Sequence, residues 1–293
     1  MSAAVVADTE GGRRRHLTAQ DGLALAFRDY GDPSSDQPAV LCLPGLTRNS
    51  HDFDRLARHL AATRRVVAPD LRGRGRSARD PDWRNYVPSV YLNDLRHLVQ
   101  SLNLHRFIVV GPSRGGLLGM ALAAAMPTLL AGLVMNDVGP EIDTAGSARI
   151  LDYIRIDRPQ PDWPAAVAEI KRIVPKLAPS MTGEADWLDL AHGTYVAGDD
   201  GRLHFDFDPA LARPLIEPAE PPPDLWALFR ALAPYPTLVV RGGDSDILSA
   251  ATLARMASNH GDLRHVTLPG VGHAPTLNEP LSREAIDDFL RRF

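Results

Sequence analysis

The chain is 293 residues long, carries a formal net charge of -4, and is 44% hydrophobic and 23% charged, a globular composition that excludes a disordered chain. The mild acidity removes any electrostatic basis for gripping a nucleic-acid backbone or an anionic membrane, and no run of 18 apolar residues is present to span one. The single cysteine, Cys42, excludes an internal disulfide, and its apolar neighbours mark it as an inert buried thiol.

In chain order, the first dozen residues are small and polar and read as an unstructured lead. Arg13-Arg14-Arg15 is followed by His16-Leu17-Thr18-Ala19-Gln20, not by the apolar stretch of a secretory signal, which points to a cytoplasmic protein. Two short apolar runs flank Asp21-Gly22 and predict a hairpin at one edge of a sheet. Apolar runs at 39–43, 65–68, 107–110 and 129–135 then alternate with helical periodicity at 51–62, 90–102 and 115–125. Strands alternating with helices require a parallel sheet covered on both faces.

The rhythm breaks after Met135 and resumes at 237–240, with a helix over 249–256, a strand over 265–268 and a final helix over 281–292. Between them lie helical segments near 145–156, 164–177 and 185–195, and the chain leaves through the proline-rich 217–223, which reads as a stiff hinge. The expectation is a doubly wound, mostly parallel α/β sheet of about eight strands, built from residues 1–138 and 225–293, with 139–224 inserted as a helical cap.

The chemistry concentrates in Phe107-Ile108-Val109-Val110-Gly111-Pro112-Ser113-Arg114-Gly115-Gly116, a buried strand, a G-x-S-x-G turn and a helix start. A serine held out on so sharp a turn crowds its neighbours, so Gly111 and Gly115 are required where they stand. The segment is not a dinucleotide fingerprint, because G-x-G-x-x-G would need glycine at Ser113, and there is no G-x-x-x-x-G-K-[ST] phosphate loop. No cofactor or metal ion is called for.

A serine nucleophile needs a base. His273, in Leu268-Pro269-Gly270-Val271-Gly272-His273, sits in the loop after the last strand, where the order serine, acid, histidine places it. For the acid, Asp246 in the loop after the strand at 237–240 is preferred; Asp137, ending the strand at 129–135, is the alternative, and Asp244 ranks third. Two backbone amides are candidates for an oxyanion hole: that of Arg114 at the helix start and that of Leu46 in Leu43-Pro44-Gly45-Leu46-Thr47.

Together these segments resemble the α/β-hydrolase fold superfamily over residues 16–293. Asp70-Leu71-Arg72-Gly73-Arg74-Gly75-Arg76-Ser77 is similar to the D-x-R-G-x-G-x-S turn of its capped members and reads as structural. The resemblance implies the same roles for Ser113, Asp246, His273, Leu46 and Arg114. Two departures stand out: Pro44 replaces a common histidine before the first oxyanion donor, and Pro112 and Arg114 flank the serine. Ser113 argues against the aspartate-nucleophile dehalogenases and epoxide hydrolases.

The expected activity is hydrolysis of a small carboxylic ester or lactone through an acyl-enzyme, with Gly45, Asn49, His51 and Trp187 as pocket residues. Trp163, Tyr195 and Trp226 are weaker pocket candidates, and the Arg114 side chain is a candidate for binding a substrate carboxylate. The rivals are a carbon–carbon bond hydrolase of β-diketone-like compounds and a hydrolase-like ligand receptor. Oligomeric state is not encoded in any motif.

Overall fold

The computed structural model describes residues 6–7, 12–218 and 223–293. The expected unstructured lead and the middle of the proline-rich hinge fall mostly outside these residues. Among the described residues eleven strands and ten α-helices follow one another: β1 (Val6–Ala7), β2 (Arg13–Thr18), β3 (Ala24–Tyr30), β4 (Ala39–Cys42), α1 (Asp54–Leu60), β5 (Val66–Pro69), α2 (Pro88–Ser101), β6 (Phe107–Pro112), α3 (Arg114–Ala125) and β7 (Leu130–Asn136) come first. Then come α4 (Thr144–Ile154), α5 (Trp163–Ile173), α6 (Glu184–His192), β8 (Tyr195–Ala197), β9 (Leu203–Phe205), α7 (Arg213–Ile216) and α8 (Leu225–Arg230), followed by β10 (Thr237–Gly242), α9 (Ala250–Ser258), β11 (Leu263–Leu268) and α10 (Pro280–Leu290).

Nine strands form one sheet in the order β1-β2-β3-β5-β4-β6-β7-β10-β11. The pairs from β5 through β11 are parallel, and β1, β2 and β3 add an antiparallel edge whose hairpin turns at Gly22, φ +92°. The sheet is thus the doubly wound one read from the sequence, widened by the two-residue β1.

The period of two along each strand sorts side chains between the faces. Leu41, Phe107 and Val109 join one buried cluster with Leu95 and Leu98 of α2 and Leu118 and Leu122 of α3. Val40, Ile108 and Val110 join the other with Leu56 and Leu60 of α1 and Ile286 and Phe289 of α10. Strands buried on both faces have no polar side to show, which is why they read as unbroken apolar runs.

β7 and β10 are sheet neighbours; α8, shortly before β10, packs on α3 of the body, and ahead of it lies 139–224, the expected helical insertion. It is not wholly helical, as the sequence reading expected. The helix predicted to run to residue 195 ends at His192, capped by Gly193, and β8 and β9 form an antiparallel ribbon pairing Tyr195 with Phe205. The turn between them, Gly198-Asp199-Asp200-Gly201, has Gly201 at φ +77°, a conformation that favours glycine.

The segment Asp70–Ser77 is a structural knot beneath the insertion. The Asp70 carboxylate accepts from the amides of Ser50 (2.7 Å) and Arg76 (2.9 Å). Arg72, 1% exposed, is held bidentately by Asp94 at 2.7 Å on both bonds, with Asp80 as a third acceptor. Breaking such a buried network from one side leaves an uncompensated charge, at a cost of about 3–5 kcal/mol.

Candidate active site

Ser113 stands between the C-terminal end of β6 and α3 with φ +50° and ψ -119°, a strained backbone for a residue with a side chain. Its amide donates to the carbonyl of Asn136 on β7 (2.9 Å), and its carbonyl accepts from Gly116 (3.0 Å). The flanking glycines are explained by contact. A Cβ on Gly111 would run into the backbone of Gly115, and one on Gly115 would overlap the carbonyl oxygen of Leu43.

His273 comes from the loop after β11. Gly272 donates to the carbonyl of Lys176 in the insertion (2.9 Å), and Asn136 Nδ2 donates to the carbonyl of Pro275 (2.8 Å), so this loop is pinned on both sides of the imidazole. Asn136 therefore braces both the serine turn and the histidine loop. Ser113 and His273 line the same cavity.

The carboxylate on His273 belongs to Asp137. Its Oδ2 accepts from His273 Nδ1 (2.8 Å) and from Ser245 Oγ (2.6 Å), and its Oδ1 accepts from the Gly242 amide (2.8 Å). The residue is completely buried, at φ +57°, with its own amide bonded to the Val240 carbonyl (2.7 Å). An acceptor facing Nδ1 fixes the tautomer with the proton there and leaves Nε2 as the acceptor.

The preference for Asp246 is corrected by the same geometry. Asp246 accepts a bidentate pair from Arg149 Nε (2.9 Å) and Nη2 (3.1 Å) on α4. Burial alone would raise its pKa, but the Arg149 hydrogen bond and charge outweigh that and hold the carboxyl below its ordinary value. Asp244 is exposed, and its carbonyl accepts from Lys176. Both loop aspartates satisfy chain order; only the end of β7, next to β6 in the sheet, reaches the imidazole. Its neighbour Ser245, unremarked in the sequence, closes the network.

Leu46 lines the cavity in the loop after β4, and its carbonyl accepts from Arg74 Nε, whose guanidinium is 1% exposed and also donates to the Arg72 carbonyl (2.7 Å). That bond holds the Leu46–Thr47 peptide, the one that follows the peptide carrying the Leu46 amide. Arg114 is the first residue of α3, and an amide at that position has no intrahelical acceptor. Its side chain does not line the cavity. The guanidinium lies 5.8 Å from the Tyr91 ring centroid, and burial, reinforced by the nearby Arg74 charge and only partly opposed by Tyr91, lowers its pKa to about 10.

The cavity has a volume of about 240 Å³. Its floor is the serine turn, the histidine loop and residues of the segments 45–48 and 51–56; its roof combines apolar side chains, from Ile150, Tyr153 and Ile154 of α4, Ile170 of α5 and Leu190 of α6, with the polar Arg149, Asp186, Asp189 and Thr194. Gly45 and His51 line it as expected, with His51 Nε2 placed 2.9 Å from Asp189 Oδ1. Asn49 and Trp187 do not. Asn49 is 3% exposed and caps the turn Ser50–Phe53 while donating to Asp206 Oδ2 (2.9 Å) and the Gly193 carbonyl (3.2 Å). Trp187 faces away, into the insertion's core, with Lys171 Nζ 5.6 Å from its ring centroid.

Trp163, Tyr195 and Trp226 also pack within the fold: Trp163 edge-on to His192, Tyr195 against Phe205, and Trp226 bonded to Glu141. Phe53 and Tyr153 are cavity aromatics that sequence reasoning missed; Tyr153 sits on the same helical face as Ile150 and Ile154, a signal of spacing that was available. Among the described residues no group of three or more His, Cys, Asp or Glu side chains is placed to share a metal ion, and no helix is long and apolar enough to cross a membrane.

A mostly parallel sheet with a serine on the turn after a central strand, and an aspartate-bound histidine opening on the same cavity, is the architecture of a class of enzymes. The chain belongs to the α/β-hydrolase fold family, whose model matches residues 38–280. It is 34% identical over 264 residues to the 3-hydroxybutyrate-oligomer hydrolase of Cupriavidus necator, covering 87% of this chain and 89% of that one. It is 29% identical over 257 residues to the 2-(acetamidomethylene)succinate hydrolase of Mesorhizobium japonicum, covering 86% and 88%. The crystal structure of an α/β hydrolase from Novosphingobium aromaticivorans superposes with a TM-score of 0.91 at 44% identity, covering 98% of this chain and all of that one. The chain is a hydrolase in this general sense.

Proposed function

We propose that the chain is a serine hydrolase of carboxylic esters that works through an acyl-enzyme on Ser113. One observation carries the reading: a serine on a strained strand-to-helix turn shares a cavity with a histidine whose Nδ1 is engaged by a buried aspartate. With Nδ1 committed to Asp137, Nε2 takes the proton as Ser113 Oγ attacks the ester carbonyl. The oxyanion that forms faces the amides of Leu46 and Arg114. Its collapse breaks the ester C–O bond, and the leaving alkoxide takes the proton from His273. Water, deprotonated by the same Nε2, then attacks the acyl carbon, and release of the carboxylic acid returns Ser113 Oγ its proton.

The insertion serves as a cap, and the apolar part of its roof, Ile150, Ile154, Ile170 and Leu190, favours an aliphatic acyl chain on the ester. The relative that acts on 3-hydroxybutyrate oligomers adds support for a linear ester of a short hydroxy acid over a lactone. The test is a panel of linear hydroxy-acid esters, lactones and β-diketones on the wild-type chain and on Ser113→Ala. Hydrolysis of the linear esters, absent from the variant, is the expected result. Cleavage of the diketones alone would transfer the machinery to carbon–carbon bonds, and turnover far below about 10 per second on every ester would favour a ligand receptor.

A further inference from the structure

Helix α4 carries two functions on adjoining faces. Asp143 donates its amide to the Ile247 carbonyl (3.1 Å), and Gly146 lies so close to the Asp246 carbonyl that a Cβ there would overlap it, so the start of the helix is seated on the loop that follows β10. One turn on, Arg149 continues that face and meets Asp246; Ile150, Tyr153 and Ile154, on the next face round, form part of the cavity roof. Arg149 stands at the border and lines the cavity too.

Three arginines line this cavity, and Arg149 differs from the other two. Arg48 is paired with Asp52, and Arg55 with Asp186 and Asp189, all of which line the cavity themselves. The partner of Arg149, Asp246, lies outside the lining and grips the guanidinium from behind through Nε and Nη2, leaving Nη1 outside the clasp. The side chains are 40% and 30% exposed, so water reaches the pair and a second carboxylate can share or displace it at little cost. Asp246 follows Ser245, which bonds the same Asp137 oxygen as His273. The guanidinium is therefore on the histidine's side of the cavity, where the leaving alcohol must sit to be protonated.

We propose that Arg149 is a specificity-determining residue that binds a carboxylate borne on the alcohol portion of the ester, so that the preferred substrates are linear esters ending in a free acid, with Asp246 holding the guanidinium in place. The role that the sequence offered to the Arg114 side chain passes to Arg149, because a guanidinium stacked on Tyr91 and away from the cavity has no access to the ligand. This inference rests on the ester-hydrolase reading.

The experiment compares a hydroxy-acid dimer with a free terminal carboxylate and the same dimer closed as a primary amide, each followed by release of the internal ester's products. The wild-type chain is expected to favour the free acid by about tenfold or more in kcat/KM, mostly through KM, the size of effect expected from a charged hydrogen-bonded contact. Arg149→Gln should erase that preference, lowering kcat/KM for the free acid by about tenfold more than for the amide, Arg149→Lys should keep part of it, and Asp246→Asn should weaken it through the loss of the anchor. Thermal unfolding of each variant reads any loss of the α4 clasp. Equal effects of Arg149→Gln on both substrates, or a wild-type chain indifferent to the charge, would overturn the inference while leaving ester hydrolysis standing. A wild-type chain that hydrolyses neither dimer nor any neutral ester would overturn both.

Discussion

The body and the insertion between β7 and β10 are held by different forces. In the body, β4, β5 and β7 are buried along their whole length; the serine turn is tied to β7 by a backbone bond and packed through tight glycine contacts, and the histidine loop is tied to the end of β7 by the side chains of Asn136 and Asp137. The insertion meets the body above α1 through charged and polar side chains instead: Arg55 to Asp186 at 2.6 Å, His51 to Asp189 at 2.9 Å, Asn49 to Asp206 at 2.9 Å, and Arg48 to Thr194. Apolar packing carries no charge to titrate or screen, whereas partly exposed ion pairs weaken with added salt and with titration of either partner. The groups proposed to make and break bonds sit on the first kind of structure, and the α6 side of the substrate wall is held to α1 by the second, beside backbone bonds such as that from Gly272 to the Lys176 carbonyl.

The comparison separates what each class of change should do. The largest effect is expected from Ser113→Ala, which should lower kcat by about 10⁴-fold or more without unfolding the chain, measured by ester turnover beside a thermal melt. Asp137→Asn should come next, with a loss on the order of 10⁴ in kcat, the scale seen when a triad aspartate elsewhere is replaced. Asp246→Asn should cost less than about tenfold on a neutral ester, since its carboxylate holds α4 and not the imidazole. A larger loss with Asp246→Asn than with Asp137→Asn would break the assignment.

Stability divides the same way. Gly115→Ala drives a methyl group into the Leu43 carbonyl, and a destabilisation of about 1–3 kcal/mol or more is expected from such overpacking, read by denaturant unfolding. At the insertion, Asp189→Asn should change global stability by no more than about 1 kcal/mol, while raising amide exchange in α6 and KM for a neutral ester by a few fold.

The smallest and most specific effects concern pH. Burial would lower the pKa of His51, but the hydrogen bond and charge of Asp189, helped by Asp52, hold it above the ordinary histidine value. The imidazolium contact is therefore fully present below that ordinary value and is lost as pH rises through the raised one. Asp186 has the opposite sign. Hydrogen bonds from Thr182, opposed by burial and joined by Arg55, lower its pKa from 3.8 to about 2, so its contribution holds above 3.8 and disappears as pH falls toward 2. Exchange in α6 should increase toward both ends of that range, and the alkaline increase should vanish in Asp189→Asn.

How much of this was legible in the sequence follows the same boundary. Strands buried on both faces leave an apolar run that cannot be missed, and the glycines around Ser113 are dictated by backbone contact, so the sheet, the serine turn and the place of His273 could all be read. The acid could not be chosen, because Asp137 and Asp246 both lie between serine and histidine in chain order. Only the adjacency of β6, β7 and β10 decides which reaches the imidazole. In the insertion, hydrophobic periodicity found three helices but not the ribbon of β8 and β9, where two glycines and two aspartates were the available turn signal. Aromatic residues suggested a pocket at Trp187, yet large rings are as useful for packing as for binding, and the cavity took Tyr153 instead.

The most direct test of the catalytic assembly is the rate and site of covalent labelling by an organophosphonate, read by peptide mapping in the wild-type, Asp137→Asn and Asp246→Asn chains. The account predicts an adduct on Ser113 that forms far more slowly with Asp137→Asn and at close to the wild-type rate with Asp246→Asn. An adduct on any other residue, or labelling that Asp137→Asn leaves unchanged, would contradict it.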